Sequence, residues 1–253
     1  MSRYNRTSYS SIGFPRWTRA VKILIIVCGI TYLVQLIAGM GFTNKFGLLP
    51  SDVVHHGYIW QLVSYIFLHD PRNLLHIIIN MLGLWMFGSE LEMVWGTRQF
   101  TKFFFICGIG AGLLMVLLFL VGVDFPVPTI GASGAIYGVL LAYGVLFPDR
   151  IIYWLIFPIP ARYFVIIMGA IAFYSSLQAS TGVAHIAHLG GMACGYVYLK
   201  TRGMARRGGP RMSIGFRAWY DRWKRNRLRK KFDVYYNRRH PESDDEKWRR
   251  WKN

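Results

Sequence analysis

The chain has 253 residues, 53% of them hydrophobic, with 30 Lys/Arg against 12 Asp/Glu and a formal charge of +18. The cations crowd the ends: five and no acid within residues 1–22, and 19 against six acids within residues 200–253, around an apolar and nearly neutral middle. That division excludes an ordinary soluble basic protein and fits a membrane domain between two basic flanks.

A helix needs roughly 20 predominantly apolar residues to cross a bilayer. The first such run, 23–43, follows Lys22 and contains no Ala-x-Ala cleavage site, so it reads as a span and not as a signal peptide. Residues 44–73 form the largest external connection. Its Trp60-Gln-Leu-Val-Ser-Tyr-Ile-Phe-Leu-His69 stretch is expected in the membrane interface, where aromatic rings settle, with His69 anchoring the loop. The second span, 74–89, is short and opens with polar residues, which places its outer end against water. Glu90 and Glu92 close it and are expected to pair with Arg98 or with backbone groups.

The third span covers 103–123. Its Gly108-Ile-Gly-Ala-Gly112 stretch lacks the strand-turn-helix context of a nucleotide loop and reads as close helix packing. The fourth covers 130–147. Pro148, Pro158 and Pro160 punctuate the next connection, so 151–160 is predicted as a short interfacial excursion instead of a seventh span. The fifth and sixth spans are 163–180 and 183–200. A Gly/Arg-rich hinge follows Arg202, then an amphipathic surface helix from Phe216 to Phe232, then a mobile end from Arg238. Cys28, Cys107 and Cys194 lie singly in apolar runs and imply neither a disulfide nor a metal.

The predicted architecture is all-α: a polytopic membrane bundle of six transmembrane helices over 23–200, a basic N-terminal segment 1–22 and a basic tail 201–253. Threading six spans puts both ends, Arg98, Lys102, Arg150 and Arg162 on one side and leaves Lys45 and Arg72 on the other. By the excess of cations on cytoplasmic loops, both termini are expected to be cytoplasmic.

The same threading sets polar groups at one depth. His76 and Asn80 lie near the outer end of the second span, Ser133 opens the fourth and His188 lies early in the sixth. At a rise of about 1.5 Å per residue, all fall within roughly 5–12 Å of the outer boundary. Ionisable and polar side chains inside a membrane are costly without partners and are a functional hypothesis by default. A hydroxyl, an imidazole and further donors at one level are what nucleophilic catalysis on a carbonyl requires. Ser133 and Tyr137 are i,i+4 beside the Gly134/Gly138 step, and His188, Gly191 and Gly195 share one face of the sixth span. Small-xxx-small faces let backbones approach closely, which brings Ser133 within reach of an imidazole. Tyr137 would hold the ring by stacking, and His76 with Asn80, i,i+4, could donate to an oxyanion. No acid stands at this level, so a dyad is expected. His185 also follows an alanine, but only His188 has glycines at +3 and +7. His188 takes the base role, and His185 is a rim or hydrogen-bonding residue.

On these residues the chain resembles the rhomboid intramembrane serine proteases, over 60–200. Gly131-x-Ser133-Gly134 with Tyr137 matches the nucleophile motif, Ala187-His188-x-x-Gly191-x-x-x-Gly195 the base helix, and His76-x-x-x-Asn80 the oxyanion pair. Gly88-x-x-Leu91-Glu92-x-x-Trp95-Gly96 resembles the stretch closing the second span. The resemblance implies a six-helix fold of the bacterial type, a water-filled site opening outward, and cleavage of single-span membrane substrates near a small residue in a segment that unwinds easily.

Two other classes compete. A channel or transporter needs polar residues through the full depth, whereas the inner halves of these spans are almost purely apolar. An inactive scaffold is disfavoured by the presence of both dyad members. No cofactor is expected: there is no His-Glu-x-x-His helix, and His185/His188 would want a third ligand that only His76 could supply. Expected partners are transmembrane substrates and the bilayer, with anionic headgroups at the basic tail. Nucleic acid is not expected there, and a protein-docking or turnover signal is the other reading of that tail. The expected address is the bacterial inner membrane.

Overall fold

The structure is a computed structural model describing residues 15–154, 157–177 and 182–202. The expected surface helix Phe216–Phe232 and the end from Arg238 lie outside the described residues. Among the described residues the regular elements are helices apart from one hairpin. Helices α1 (Arg19–Ala38), α2 (Met40–Phe46), α3 (Pro50–His56) and α4 (Gln61–Ser64) precede a 3-10 turn at Tyr65–Phe67. Helix α5 (Leu74–Gly83) continues through a π-helical segment, Leu84–Gly88, into α6 (Ser89–Trp95). Then come α7 (Thr97–Leu120), α8 (Ser133–Leu146), the strands β1 (Ile151–Trp154) and β2 (Phe157–Pro160), α9 (Ala161–Ser176) and α10 (Gly182–Thr201).

Six helices or helix runs stand where six spans are expected: α1, the α5–α6 run, α7, α8, α9 and α10. Among the described residues, α1, Leu74–Trp95 and Thr97–Leu120 are long and apolar enough to cross a membrane, and α8 and α9 are shorter apolar helices. The second span is longer than its predicted limit of 89. The π-helical segment Leu84–Gly88 carries it into α6 and on to Trp95, with Phe100 and Val21 packed closely at Gly88. The 151–160 excursion is an antiparallel hairpin in which Ile152 pairs with Ile159 and Tyr153 with Pro158. A two-stranded ribbon has only edge strands, so prolines without an N–H are tolerated in it.

Helix α10 is central and packs on α7, α8 and α9, while α1 lies against the α5–α6 run and α7. Phe100, Phe103, Phe104, Met115, Leu84 and Leu91 fill the buried centre. The outward faces are as apolar as the interior: Ile30, Leu33 and Ile37 of α1, Leu117 of α7 and Ile166 of α9 are exposed. In lipid such faces need no cover. What joins the helices is close packing and buried hydrogen bonds, not exclusion of water from apolar surface.

The 44–73 connection is built on buried amides. Gln61 is wholly buried, accepts from Leu49 N at 3.0 Å and donates to Lys45 O at 3.3 Å. Gln35 of α1 donates to Thr43 Oγ1 and accepts from His69 N, both at 2.9 Å. A two-way bridge between Leu48 and Thr129 then ties this connection to the strand of chain leading into α8.

Candidate active site

Helix α8 begins at Ser133, so the serine is at the first helical position, where backbone N–H groups have no intrahelical acceptor. The turn before it is fixed by Gly131, whose N–H donates to Tyr65 O at 2.9 Å and whose φ of +123° is open to glycine alone at little strain. Tyr65 is held in turn by its hydroxyl, which donates to Gly108 O at 2.6 Å. The presentation of Ser133 thus depends on α7 and on the 44–73 connection as well as on its own helix.

Facing it, α10 carries His188. Ser133 Oγ and His188 Nε2 are 2.7 Å apart, within range for a proton to pass. The imidazole lies flat on Tyr137, centroids 4.2 Å apart and planes 4° from parallel. This proximity follows from the glycines. A Cβ on Gly191 would stand 1.8 Å from Gly134 O, and one on Gly138 would stand 2.5 Å from Cys107 Sγ and 2.9 Å from Gly191 O. Gly195 meets the Cα of Gly138 at 3.2 Å from its own would-be Cβ. Gly134, Gly138, Gly191 and Gly195 therefore make one backbone-to-backbone crossing, and the serine–histidine pair sits at its upper end.

His76 and Asn80 come from α5. Asp70 N donates to His76 Nδ1 at 3.3 Å, which places the ring proton on Nε2. That Nε2–H faces the space over Gly131, where a Cβ would be 2.9 Å from Nε2 and 3.7 Å from Ser133 Oγ. The absence of a side chain at Gly131 thus lets His76 approach closely, with its Nε2–H and the serine oxygen both bordering this glycine. Asn80 is buried and donates one of its two amide N–H groups to His76 O at 2.7 Å, leaving the other for a further acceptor.

The remaining expected residues have these places. His185 stands one turn before His188 with its ring edge-on to it, centroids 5.4 Å apart. His69 is fully buried, its Nδ1 3.2 Å from Phe67 O and its ring 5.2 Å from that of His76. Glu92 meets backbone groups, as anticipated, but those of α1: it accepts from Ala20 N at 2.8 Å and Val21 N at 3.0 Å. Glu90 pairs with Arg150 at 2.8 Å, not with Arg98. Among the described residues, no group of three or more His, Cys, Asp or Glu converges as a metal site would require.

Sequence reasoning passed over Tyr65, Gln35 and Gln61, which hold the connection leading to Ser133 in place. Gln35 had a usable signal, since an amide in the middle of an otherwise apolar span demands a partner. Tyr65 had none, being one aromatic among many in the connection.

A family model described as "Rhomboid domain" matches residues 56–204. Among curated proteins, the chain is 32% identical over 168 residues to "Rhomboid protein 1, mitochondrial" of Saccharomyces cerevisiae, covering 62% of this chain and 45% of that one. It is 30% identical over 155 residues to "RHOMBOID-like protein 1" of Arabidopsis thaliana, covering 61% and 37%. It is also 30% identical over 134 residues to "Rhomboid protease GluP" of Bacillus subtilis, covering 51% and 24%. The chain spans less than half the length of these relatives, which come from a yeast, a plant and a bacterium. The matched domain takes in every expected site residue, and with its apolar helices the chain is an integral membrane protein that belongs to the rhomboid family.

Proposed function

We propose that this protein is an intramembrane serine protease that cuts transmembrane segments of single-span proteins near the extracytoplasmic face. The observation that carries this reading is the 2.7 Å approach of Ser133 Oγ to His188 Nε2 beneath a stacked Tyr137. In the proposed reaction the substrate reaches the site from the side of α9, where Phe164 meets Phe87. Its unwound carbonyl lies over Gly131. Ser133 Oγ attacks the carbonyl carbon and its proton passes to His188 Nε2. The negative oxygen is met by the Ser133 N–H, His76 Nε2–H and the free Asn80 N–H. His188 then protonates the leaving amine. Water, deprotonated by the same nitrogen, attacks the acyl-serine and releases the new carboxyl group. Both chain ends lie on the cytoplasmic side in this reading, with anionic lipid at the basic tail.

The test is labelling of the purified chain with a fluorophosphonate, mapping of the modified residue, and cleavage of a reconstituted single-span substrate. Label on Ser133 is expected, together with complete loss of cleavage in Ser133→Ala and His188→Ala. Asn80→Ala is expected to slow turnover by about 10- to 100-fold, in keeping with loss of one of several oxyanion donors. Turnover by either dyad variant at the wild-type rate overturns the assignment. A well-folded wild type with no label on Ser133 would favour a non-proteolytic scaffold, and an unchanged Asn80→Ala rate removes that residue from the oxyanion role.

A further inference from the structure

His188 acting through Nε2 must carry its own proton on Nδ1, because a neutral imidazole has one donor nitrogen and one acceptor nitrogen. In serine hydrolases built on a triad, a carboxylate accepts that Nδ1–H. Here Nδ1 of His188 is buried and has no hydrogen-bond partner among the described residues. A buried N–H without an acceptor is costly, and the tautomer that would relieve the cost is the wrong one for accepting from Ser133.

One other group in the site has the matching deficit. His185 Nδ1 is also buried and without a partner among the described residues. His185 and His188 are i,i+3 on one face of α10, and a helical side chain leans over the turn that precedes it, so the His188 ring lies above His185. Their centroids are 5.4 Å apart with planes at 82°. Two ring radii of roughly 1.2 Å plus an N–H···N span of about 3 Å make up such a separation. The χ2 torsion of histidine is broad, so a turn of the His185 ring aligns the two nitrogens without moving the helix. The other sides of the His188 ring are already taken, one face by Tyr137 and Nε2 by Ser133.

We infer that His185 is the positioning residue for His188: its unprotonated Nδ1 accepts the Nδ1–H of His188, fixing the tautomer in which Nε2 takes the Ser133 proton. In this arrangement His185 serves only as an acceptor and exchanges nothing with substrate. When His188 becomes the imidazolium, the same hydrogen bond holds the added charge in place. The inference rests on the proteolytic reading of the site, and a readout independent of turnover keeps the two separable.

The experiment compares the full-length wild type with His185→Phe, which keeps a flat ring without an acceptor, and His185→Asn, whose Oδ1 supplies an acceptor from a similar position. His185→Phe is expected to lower kcat about 10- to 100-fold at unchanged KM, with a thermal midpoint close to wild type. His185→Asn is expected to recover kcat to within about threefold of wild type, since a well-placed acceptor restores the tautomer. In protein carrying 15N-histidine, His188 is expected as the Nδ1–H tautomer in wild type and His185→Asn, shifting toward Nε2–H in His185→Phe. Wild-type kcat in His185→Phe, equal loss in both variants, or a His188 tautomer that ignores residue 185 would each overturn the inference. A wild type that neither cleaves nor labels at Ser133 defeats the proteolytic reading instead, and the nitrogen spectra then decide the histidine contact alone.

Discussion

His69 shows what one buried side chain contributes to the connection that supports Ser133. Its backbone N–H goes to Gln35 and its Nδ1 faces Phe67 O, while Nε2 is buried with no partner among the described residues. A second proton would have to sit on that Nε2, in a dry place beside His76. Burial first, and the neighbouring His76 second, push its pKa down from 6.5 to about 4, against a smaller opposing pull from Phe67 O. The unfolded chain binds this proton below about 6.5, whereas the folded chain resists it until about 4. Stability is therefore full above the unfolded value, falls as pH drops through that window and levels off below it. The loss at this residue is on the order of 3 kcal/mol. Thermal midpoints of the solubilised protein at pH 7.5 and pH 5 are expected to differ, and by less in His69→Leu, which has no such proton to refuse. Equal differences in the two proteins would remove His69 as a source of acid sensitivity.

At the scale of elements, the crossing of α8 and α10 sets the distance between Ser133 and His188. Gly191→Ala puts a methyl group into Gly134 O, and backbone cannot swing aside as a long side chain would. The helices must part by about 1 Å or more, and misplacement of that size between reacting groups costs on the order of 100-fold in rate. Fluorophosphonate labelling of Ser133 in Gly191→Ala is expected to fall by about that factor, whereas Gly41→Ala, with open space around its Cβ, is expected to label as wild type does. Normal labelling in Gly191→Ala would show that the crossing tolerates separation. This crossing was legible from sequence because small residues at i, i+3, i+4 and i+7 identify a helix face before any partner is known. The hairpin at 151–160 was not, since Pro158 and Pro160 announce a break in helix without saying what replaces it. The wide turns at Leu84–Gly88 were also hidden, because nothing in the apolar run Leu84-Trp-Met-Phe-Gly88 distinguishes π from α winding.

At the scale of the molecule, Glu92 joins what the sequence leaves far apart. Helix α1 starts with Ala20 and Val21 N–H groups that have no intrahelical acceptor, and Thr18 makes no side-chain cap to them. The Glu92 carboxylate at the end of α6 accepts both, together with the Thr18 hydroxyl at 2.5 Å and the Thr97 hydroxyl at 2.7 Å. One buried charge thus caps α1, suits its positive end and ties it to the α6–α7 corner. Sequence placed Glu92 at the inner end of its span but could not name a partner more than 70 positions away. Replacing the carboxylate by an amide turns an NH2 donor toward donors, so Glu92→Gln is expected to cost about 3 kcal/mol. Glu90→Gln is the contrasting case, because its partner Arg150 is 41% exposed and solvent screens the pair, leaving an effect of about 1 kcal/mol or less. His76 lies roughly 24 Å along the helix from Glu92. The expected result is a thermal midpoint lowered by several degrees in Glu92→Gln and little in Glu90→Gln. At low temperature, where both variants remain folded, Ser133 should label at the wild-type rate. Equal shifts in the two variants would mean that the clasp on α1 is no stronger than the partly exposed Glu90–Arg150 pair, and slowed labelling in folded Glu92→Gln would mean that α1 reaches the site after all.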